Sequence, residues 1–192
     1  MIETIRSIVP AMHMRHAHMR PLVVALGATL LLGGCVMQST YNNMLQQQQA
    51  LEASLRSEIS ADQVEIEQLK DGIRVRVSGD MMYRSGSVEL TPSGIAALNK
   101  VVPTLNAGSY TIDIVGNTDN TPIGPMLAER YPTNWELGGA RAAAVVRHLQ
   151  AQGVDPTAMQ AVSAGQYHPV ASNDTPQGQA QNRNTEILLR PR

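Results

Sequence analysis

The sequence predicts an α/β domain in which strands and helices alternate, with a helical spacer and an export signal before it. Short segments alternate apolar and polar residues, which is typical of strands half buried in a sheet. Longer segments between them place apolar residues at three- and four-residue steps, as amphipathic helices do. The 192-residue chain also begins with a segment that is basic and then apolar. Strands that alternate with helices imply a sandwich with at least one parallel crossover.

Composition excludes several classes of protein. The formal charge is −1, from 15 Lys and Arg against 16 Asp and Glu, so the chain lacks the basic face of a nucleic-acid binder. Aromatic residues make up 3% and Phe is absent, which leaves few rings for base stacking. The single cysteine rules out an intramolecular disulfide and a Cys-built zinc site. Since no apolar run reaches ~18 residues, a multi-spanning membrane protein is excluded.

Residues 1–34 are predicted to be a lipoprotein signal peptide. Arg15 and Arg20 precede an apolar segment at 22–32, which is too short to span a bilayer comfortably. Gly33 and Gly34 then precede Cys35, and this order resembles the lipobox of bacterial lipoproteins. The resemblance implies cleavage before Cys35 and acylation of its thiol and new amino group, which together anchor a protein stably to a membrane. The alternative is a plain signal peptide with an incidental cysteine.

Residues 35–71 are predicted to hold the acylated cysteine and a helical spacer. The polar stretch 38–71 lacks Pro and Gly, and its apolar residues fall mostly at helical spacing. One helix is therefore expected over about 41–70, ended by Asp71-Gly72. This helix is either a solvated spacer or a surface for self-association or a partner. Its apolar stripe consists of Leu45, Leu51, Leu55, Ile59, Ile66 and Leu69.

Residues 72–192 are predicted to form the domain, with elements in the order βαβαββ. Thr91 is expected to cap the first helix, with Pro92 at the first helical position. Asn134 is expected to cap the second helix, which continues to Gln152. The four strands are predicted around 73–77, 110–114, 160–164 and 185–189.

Two charged residues are predicted to converge beyond the second strand. Ligands of α/β sheets bind beyond the carboxyl ends of strands, and Thr118 and Asp119 follow that strand at once, with Gly116 making room. Arg141 lies among small residues of the next helix and can reach back toward the strand. Such a pair suits a zwitterion, because the carboxylate takes an ammonium and the guanidinium takes a carboxylate through two parallel bonds. A structural salt bridge is the alternative.

Five motifs in order resemble the OmpA-like peptidoglycan-binding domain that OmpA, Pal and MotB proteins share. The resemblance covers residues 72–190. It implies an OmpA-like βαβαββ sandwich with a mixed four-stranded sheet and helices packed on it. The motifs are Gly116-Asn117-Thr118-Asp119, Asn134-Trp135-Glu136-Leu137 with Ala140-Arg141-Ala142, Gly165 to Pro169, Ala171-Ser172-Asn173-Asp174-Thr175-Pro176, and Gly178 through Asn182-Arg183 to Glu186.

The resemblance also implies a ligand. In that family the Asp of the Thr-Asp pair and the Arg of the next helix grip diaminopimelate, whose free α-amino and α-carboxyl groups form a zwitterion. Carried over, these are Asp119 and Arg141, and Thr118 would help through its hydroxyl or backbone. Asn134 either donates to the ligand or only caps its helix. Arg183 either lines the site or braces the fold.

Three positions depart from the family pattern. Asn117 stands where the family usually has His, and Asn184 replaces the second Arg of an Asn-Arg-Arg run. Gly138 falls where Ser is common. The loop at 120–133 makes the chain more similar to MotB-type sequences.

The function implied is an outer-membrane lipoprotein that binds peptidoglycan non-covalently and tethers membrane to wall from the periplasmic side. Val36 after the cysteine favours the outer membrane by family analogy. The alternative is an accessory lipoprotein of an envelope machine (secretion, motor or Tol-like), with an envelope partner or a second copy bound through residues 41–70. His148 and His168 have no catalytic array nearby in the sequence, so no enzyme activity is expected. No cofactor, metal or nucleic-acid partner is expected either.

Overall fold

A five-stranded mixed sheet forms the centre of the protein. The computed structural model describes residues 41–192, so the predicted signal peptide and the Cys35 anchor lie outside the described residues. The strands lie in the order β1-β2-β5-β3-β4. The predicted α/β class is confirmed, but the expected four-stranded sheet gains a strand at one edge. The strands are β1 (Val64–Leu69), β2 (Gly72–Ser78), β3 (Tyr110–Asn117), β4 (Met159–Gly165) and β5 (Asn184–Pro191).

Strand directions bring several chain segments to one edge of the sheet. β3 and β4 pair in parallel, whereas β5 is antiparallel to both β2 and β3. The carboxyl ends of β2, β3 and β4 therefore meet at the edge where β5 begins. We call this the site edge. Its register pairs Ser78 with Asn184, and Asn117 with Gly165.

Helices pack on the apolar face of the sheet. The core includes Val75, Ile114 and Ile187 from the sheet, all at 0% exposure. On the opposite face Arg76 forms an ion pair with Glu186 at 3.0 Å. The helices are α1 (helical over 41–54), α2 (Arg56–Ser60), α3 (Gly79–Met82), α4 (Pro92–Ala107), α5 (Pro125–Ala128), α6 (Asn134–Ala151) and α7 (Pro176–Asn182), with a 3₁₀ turn at Pro156–Ala158.

The two long helices begin with hydroxyl caps. Thr91 accepts the Gly94 N–H at 2.9 Å, as the sequence predicts for α4. At α6 the predicted cap is wrong by one residue: the N-cap is Thr133, which forms a capping box with Glu136. Because Asn134 is the first helical residue, its side chain is left for other contacts. None of the helices in residues 41–192 is long and apolar enough to cross a membrane.

The predicted single helix over 41–70 is wrong over its last ten residues. Helical structure ends at Ser60, and Asp62 takes a left-handed φ of 54°. β1 then pairs with β2 through a hairpin, with Leu69 opposite Gly72. Val64 and Ile66 alternate with glutamates, which is a strand period, and pairing with β2 satisfies the backbone groups of this segment. Asp71 consequently lies in the hairpin turn and does not end a helix.

The apolar stripe of the predicted spacer packs into the domain, with two of its residues fully buried and the other four half-buried. Leu51 of α1 and Leu55 after it are at 0% exposure and belong to the hydrophobic core, with Ile59 packed against it. This part of the chain is therefore not a solvated spacer, because its apolar face already covers the sheet.

Candidate functional site

Charged residues from three separate segments meet at the site edge. Asp119 follows β3, Asp80 lies two residues beyond β2, and Arg183 directly precedes β5. The shared direction of β2 and β3 places both aspartates at one edge, and the antiparallel β5 starts there. Residues 103 apart in the chain, Asp80 and Arg183, are thus brought into hydrogen-bonding distance.

Asp119 is a buried carboxylate held by Arg183. Its side chain accepts the Arg183 Nη1 hydrogen bond through Oδ2 at 2.8 Å and the Thr121 N–H through Oδ1 at 3.0 Å. Only 7% of the residue is exposed. Arg183 also donates to both oxygens of Asp80, at 3.3 and 3.1 Å. The hydrogen bond to Asp80, with the one to Asp119, raises the pKa of Arg183 above its usual value.

Arg141 lies close to this network without an ion pair. Its Nε donates to the Ser87 carbonyl at 3.2 Å, and its guanidinium carbon lies 4.9 Å from the centroid of the Tyr83 ring. Burial lowers the pKa of Arg141. The positive charge of Arg183 lowers this pKa further, whereas the negative charges of Asp119 and Asp80 raise it. No carboxylate within residues 41–192 pairs with Arg141. The alternative of a structural Asp119–Arg141 salt bridge is therefore wrong, because Asp119 forms its ion pair with Arg183.

Tyr83 positions the Arg141 guanidinium. The residue is buried, and its hydroxyl shares a 2.8 Å hydrogen bond with Thr185 Oγ1 of β5. Burial raises the pKa of Tyr83 to about 12, so the phenol is neutral at physiological pH. A fixed, neutral ring under the guanidinium orients the cation without neutralising its charge.

The two polar residues predicted beside this pair make internal bonds. Thr118 is buried; its N–H donates to Gly165 O and its hydroxyl to Asp119 O, both at 2.9 Å. The Asn134 amide donates to Gln166 Oε1 at 2.8 Å and to Thr121 O at 3.2 Å. Both side chains shape the loop that carries Asp119, and their contact with a ligand stays a prediction.

Two of the departures from the family pattern contact each other. Asn117 donates its amide to Asn184 Oδ1 at 2.8 Å, and Asn184 in turn donates to the backbone oxygens of Gln181 and Asn182. The pair ties the end of β3 to the turn that carries Arg183. Among the described residues, the buried Asn117 Oδ1 has no hydrogen-bond partner.

The third departure, Gly138, follows from a close helix–strand contact. A Cβ at Gly138 would lie 2.6 Å from both Gly116 O and Ser163 Oγ, and one at Gly116 would lie 2.0 Å from Gly138 O. α6 therefore rests directly on β3, and this close approach brings Arg141 over the site edge. The room that the sequence predicts at Gly116 is taken by the α6 backbone.

Comparison with known proteins identifies the family. The model of the OmpA family matches residues 82–183, more than half of the chain. The chain belongs to the OmpA family. The probable lipoprotein YiaD of Escherichia coli K12 is 32% identical over 141 residues, which are 73% of this chain and 61% of that protein. The peptidoglycan-associated lipoprotein of Pseudomonas putida is 33% identical over 119 residues, 62% of this chain and 68% of that protein.

Solved structures agree with this assignment. The cell wall anchor of the T6SS from Pseudomonas aeruginosa is 30% identical, with a TM-score of 0.67 over 74% of this chain and 97% of that chain. A MotB-like protein of Desulfovibrio vulgaris has a TM-score of 0.74 at 22% identity, over 82% of this chain and 99% of that chain, and this likeness shows the fold alone. The chain spans between 49% and 61% of the length of its first three curated relatives.

Two residues of this OmpA-family site are not found by reading the sequence. Asp80 lies two residues beyond the first predicted strand of the domain, and Tyr83 follows soon after. The rule that ligands lie beyond strand ends applies to that strand as well, but it identifies Asp80 only once β2 is known to run parallel to β3. No group of three or more metal-ligating side chains occurs in the part of the chain that is described.

Proposed function

We propose that this protein is a lipoprotein that binds peptidoglycan non-covalently, without catalysis, through the diaminopimelate of its stem peptides. Relatives whose names describe peptidoglycan association or cell-wall anchoring support the proposal. The lipid anchor at Cys35 would hold the protein in the outer membrane, and the domain would grip the wall from the periplasm. The protein would then tether the membrane to the wall.

Arg141 carries the proposal. It is a partly buried cation with no carboxylate partner in the described residues, and burial without a partner is costly for a charge. A planar guanidinium is suited to a ligand carboxylate, which it binds through two parallel hydrogen bonds. The absence of an internal partner leaves this capacity for an external anion.

The surrounding carboxylates complete a site for a zwitterion. Asp119 and Asp80 lie close enough to Arg141 for their negative charges to raise its pKa. An ammonium group can therefore lie near the two aspartates while the attached carboxylate binds Arg141. Arg183, which donates to both aspartates, sets the spacing of the two carboxylates. The α-amino and α-carboxyl groups at the free end of diaminopimelate have this charge pattern.

Co-sedimentation with purified sacculi tests the proposal. The full-length protein should pellet with diaminopimelate-type sacculi, and both Asp119→Asn and Arg141→Ala should lose most of this binding. Truncating one partner of a buried charge pair costs about 2–5 kcal/mol, which is roughly 30-fold or more in affinity. Arg147→Ala, an exposed arginine of the same helix, is the matched control and should pellet as the unmodified protein does.

Sacculi with lysine in place of diaminopimelate sharpen this test, since lysine lacks the carboxylate assigned to Arg141. We expect weak binding to them and little further loss in Arg141→Ala. Equal, Arg141-independent binding to both kinds of sacculi would contradict the assignment. If the unmodified protein stays in solution with both, peptidoglycan binding itself is wrong.

A second candidate function is an accessory role in an envelope machine. The 30% identity to the T6SS cell wall anchor over 97% of that chain favours it. Chemical crosslinking in intact cells, followed by mass spectrometry, tests this role. Reproducible crosslinks to components of one secretion or motor assembly support it, whereas crosslinks to none of them oppose it.

A further inference from the structure

Two exposed aromatic rings are stacked on each other near the site edge. Trp135 in the first turn of α6 and Tyr167 after β4 have ring centroids 5.2 Å apart and an interplanar angle of 25°. They remain 47% and 61% exposed. The chain has one Trp, five Tyr and no Phe, so two of six aromatic residues lie together at the surface. Tyr and Trp are enriched at binding interfaces, because each joins a large apolar ring to a polar group that can stay in water.

The backbone beneath the pair is adapted to hold the indole ring. Gly165 has a left-handed φ of 54°, and a Cβ there would lie 3.3 Å from Trp135 Cδ2 and 3.6 Å from Cε3. The backbone of Gly165 therefore lies directly against the ring. Ser163 donates its hydroxyl to Trp135 O at 2.7 Å, which fixes the start of α6 against β4.

The aromatic pair and Asp119 are connected by short contacts. The carbonyl of Gly165 accepts the Thr118 N–H at 2.9 Å, and Thr118 directly precedes Asp119. Asn134, next to Trp135, donates to Gln166, which directly precedes Tyr167. The rings are thus continuous with the site edge and would lie beside any ligand bound there.

We propose that Trp135 and Tyr167 bind the glycan strand of peptidoglycan by stacking on one acetylated amino sugar. This inference rests on the proposed function, and it adds a sugar subsite to the diaminopimelate site. A pyranose ring presents a flat face of C–H groups that matches an aromatic face, and its polar edges remain in water. The wall component that carries the stem peptide is itself such a sugar, so peptide and sugar reach the domain together.

The polarity of the neighbouring side chains favours a neutral sugar. Asn134, Ser163 and Gln166, which hold or flank the pair, are all uncharged. Gln166 accepts from Asn134 through its oxygen, so its NH₂ group is the one left to donate to the carbonyl of an acetamido group. A membrane surface or a nucleic acid would call for cations beside the rings.

Trp135 is the sole tryptophan of the chain, so its fluorescence reports on the proposed subsite. The full-length protein is titrated with three probes: a stem peptide that contains diaminopimelate, the same peptide on its disaccharide, and a peptide-free oligomer of N-acetylglucosamine. We expect the disaccharide-peptide to bind about tenfold more tightly than the bare peptide and to change Trp135 emission more strongly.

Variants separate the sugar subsite from the peptide site. Tyr167→Ala should reduce disaccharide-peptide affinity to that of the bare peptide and leave bare-peptide affinity unchanged, whereas Tyr167→Phe should retain most of the gain. Trp135→Ala removes the fluorescence signal, so calorimetry measures its affinities for the bare peptide and the disaccharide-peptide, and we expect the same loss as in Tyr167→Ala. Tyr41→Ala, which removes an exposed tyrosine from α1, is the matched control and should bind all probes normally.

The outcomes distinguish this inference from the function on which it rests. If the bare peptide binds and the disaccharide adds nothing, the sugar subsite is wrong while peptidoglycan binding stands. If Tyr167→Ala weakens both ligands equally, the pair only braces the site edge and the inference is overturned. If neither ligand binds, both proposals fail. Tight binding of the peptide-free oligomer alone, lost in Tyr167→Ala, supports the sugar subsite and contradicts the peptide site.

Discussion

At the scale of single residues, Asn117 and Asn184 keep the site edge ordered through their mutual hydrogen bond. The Asn184 side chain makes three hydrogen bonds: it accepts one from Asn117 and donates two to backbone oxygens of the turn before β5. Asn117 makes one bond and leaves its Oδ1 unpaired. Since Arg183 lies in that turn, the amide pair positions the guanidinium that holds Asp119. The two departures from the family pattern are thus one structural feature.

A double-mutant cycle on this pair is the first prediction. Asn184→Ala should lower the free energy of unfolding by about 2 kcal/mol, because three hydrogen-bonding groups lose their partner. Asn117→Ala should cost about 1 kcal/mol, since it also removes an unsatisfied acceptor. The double variant should cost less than the sum by about 1 kcal/mol. Urea denaturation measures the free energy of unfolding of all three variants. As a control, the effects of Asn117→Ala and of Asn106→Ala, at an exposed position, should add. Additive effects for the Asn117–Asn184 pair would oppose the assigned coupling.

At the scale of elements, a single ion pair attaches the short helix α2 to α4. Glu58 accepts from Lys100 Nζ at 2.6 Å and from the neighbouring Ser57 hydroxyl at 2.8 Å. The hydrogen bond from Lys100 is the main cause that lowers the pKa of Glu58 below 4.5. α2 has no fully buried residue of its own, so this ion pair adds to the packing of Ile59 against the core in holding the helix.

Removing this charge should have a pH-dependent effect on stability. Glu58→Gln should lower the free energy of unfolding by about 0.5–1 kcal/mol near neutral pH. The folded-state pKa lies below the unfolded value of 4.5, so the contribution is complete above 4.5 and is lost as pH falls through the folded pKa. The unfolding curves of Glu58→Gln and of the unmodified protein should therefore differ at neutral pH and coincide in strong acid. Glu129→Gln, at an exposed glutamate, is the control and should leave the free energy of unfolding unchanged at both pH values. A loss of stability in Glu58→Gln that does not depend on pH would contradict the ion-pair explanation.

At the scale of the whole molecule, α1 is part of the folded domain. Leu51 and Leu55 are fully buried in the same core as the central strands, and residues 41–192 form one compact unit. β1 adds an edge strand to the sheet, and the region matched by the family model begins after it. α1, α2 and the β1–β2 hairpin therefore lie before the region that the family model matches, and they belong to the same compact unit.

Truncation of Leu51 tests this integration. Leu51→Ala should lower the free energy of unfolding of the whole domain by about 2–5 kcal/mol, because it leaves a cavity in the core. Circular dichroism, which follows the helices, and Trp135 fluorescence, which follows the start of α6, should report one shifted transition. Gln46→Ala, at an exposed position of the same helix, should have little effect. Two separate transitions would indicate that α1 unfolds independently of the sheet.

The sequence by itself determined the features that depend on near neighbours. The apolar periods of β3, α4 and α6 are visible because each element buries one face of its own segment. The Thr91 cap is visible because its hydroxyl bonds a residue three positions away. Asp119 was found because it follows a strand directly. In each case the residues that interact are adjacent or a few positions apart.

Only the tertiary structure decided which distant residues pair. Asp119 bonds Arg183, 64 positions away, and Asp80 joins them because β2, β3 and β5 meet at one edge. The sequence pattern does not separate the helical stripe before residue 60 from the strand at Val64–Leu69, because the choice between the two periods depends on pairing with β2. Register and strand order place side chains through contacts between segments, so residue spacing could point to Asp119 and Arg141 but could not identify the partner that holds Asp119.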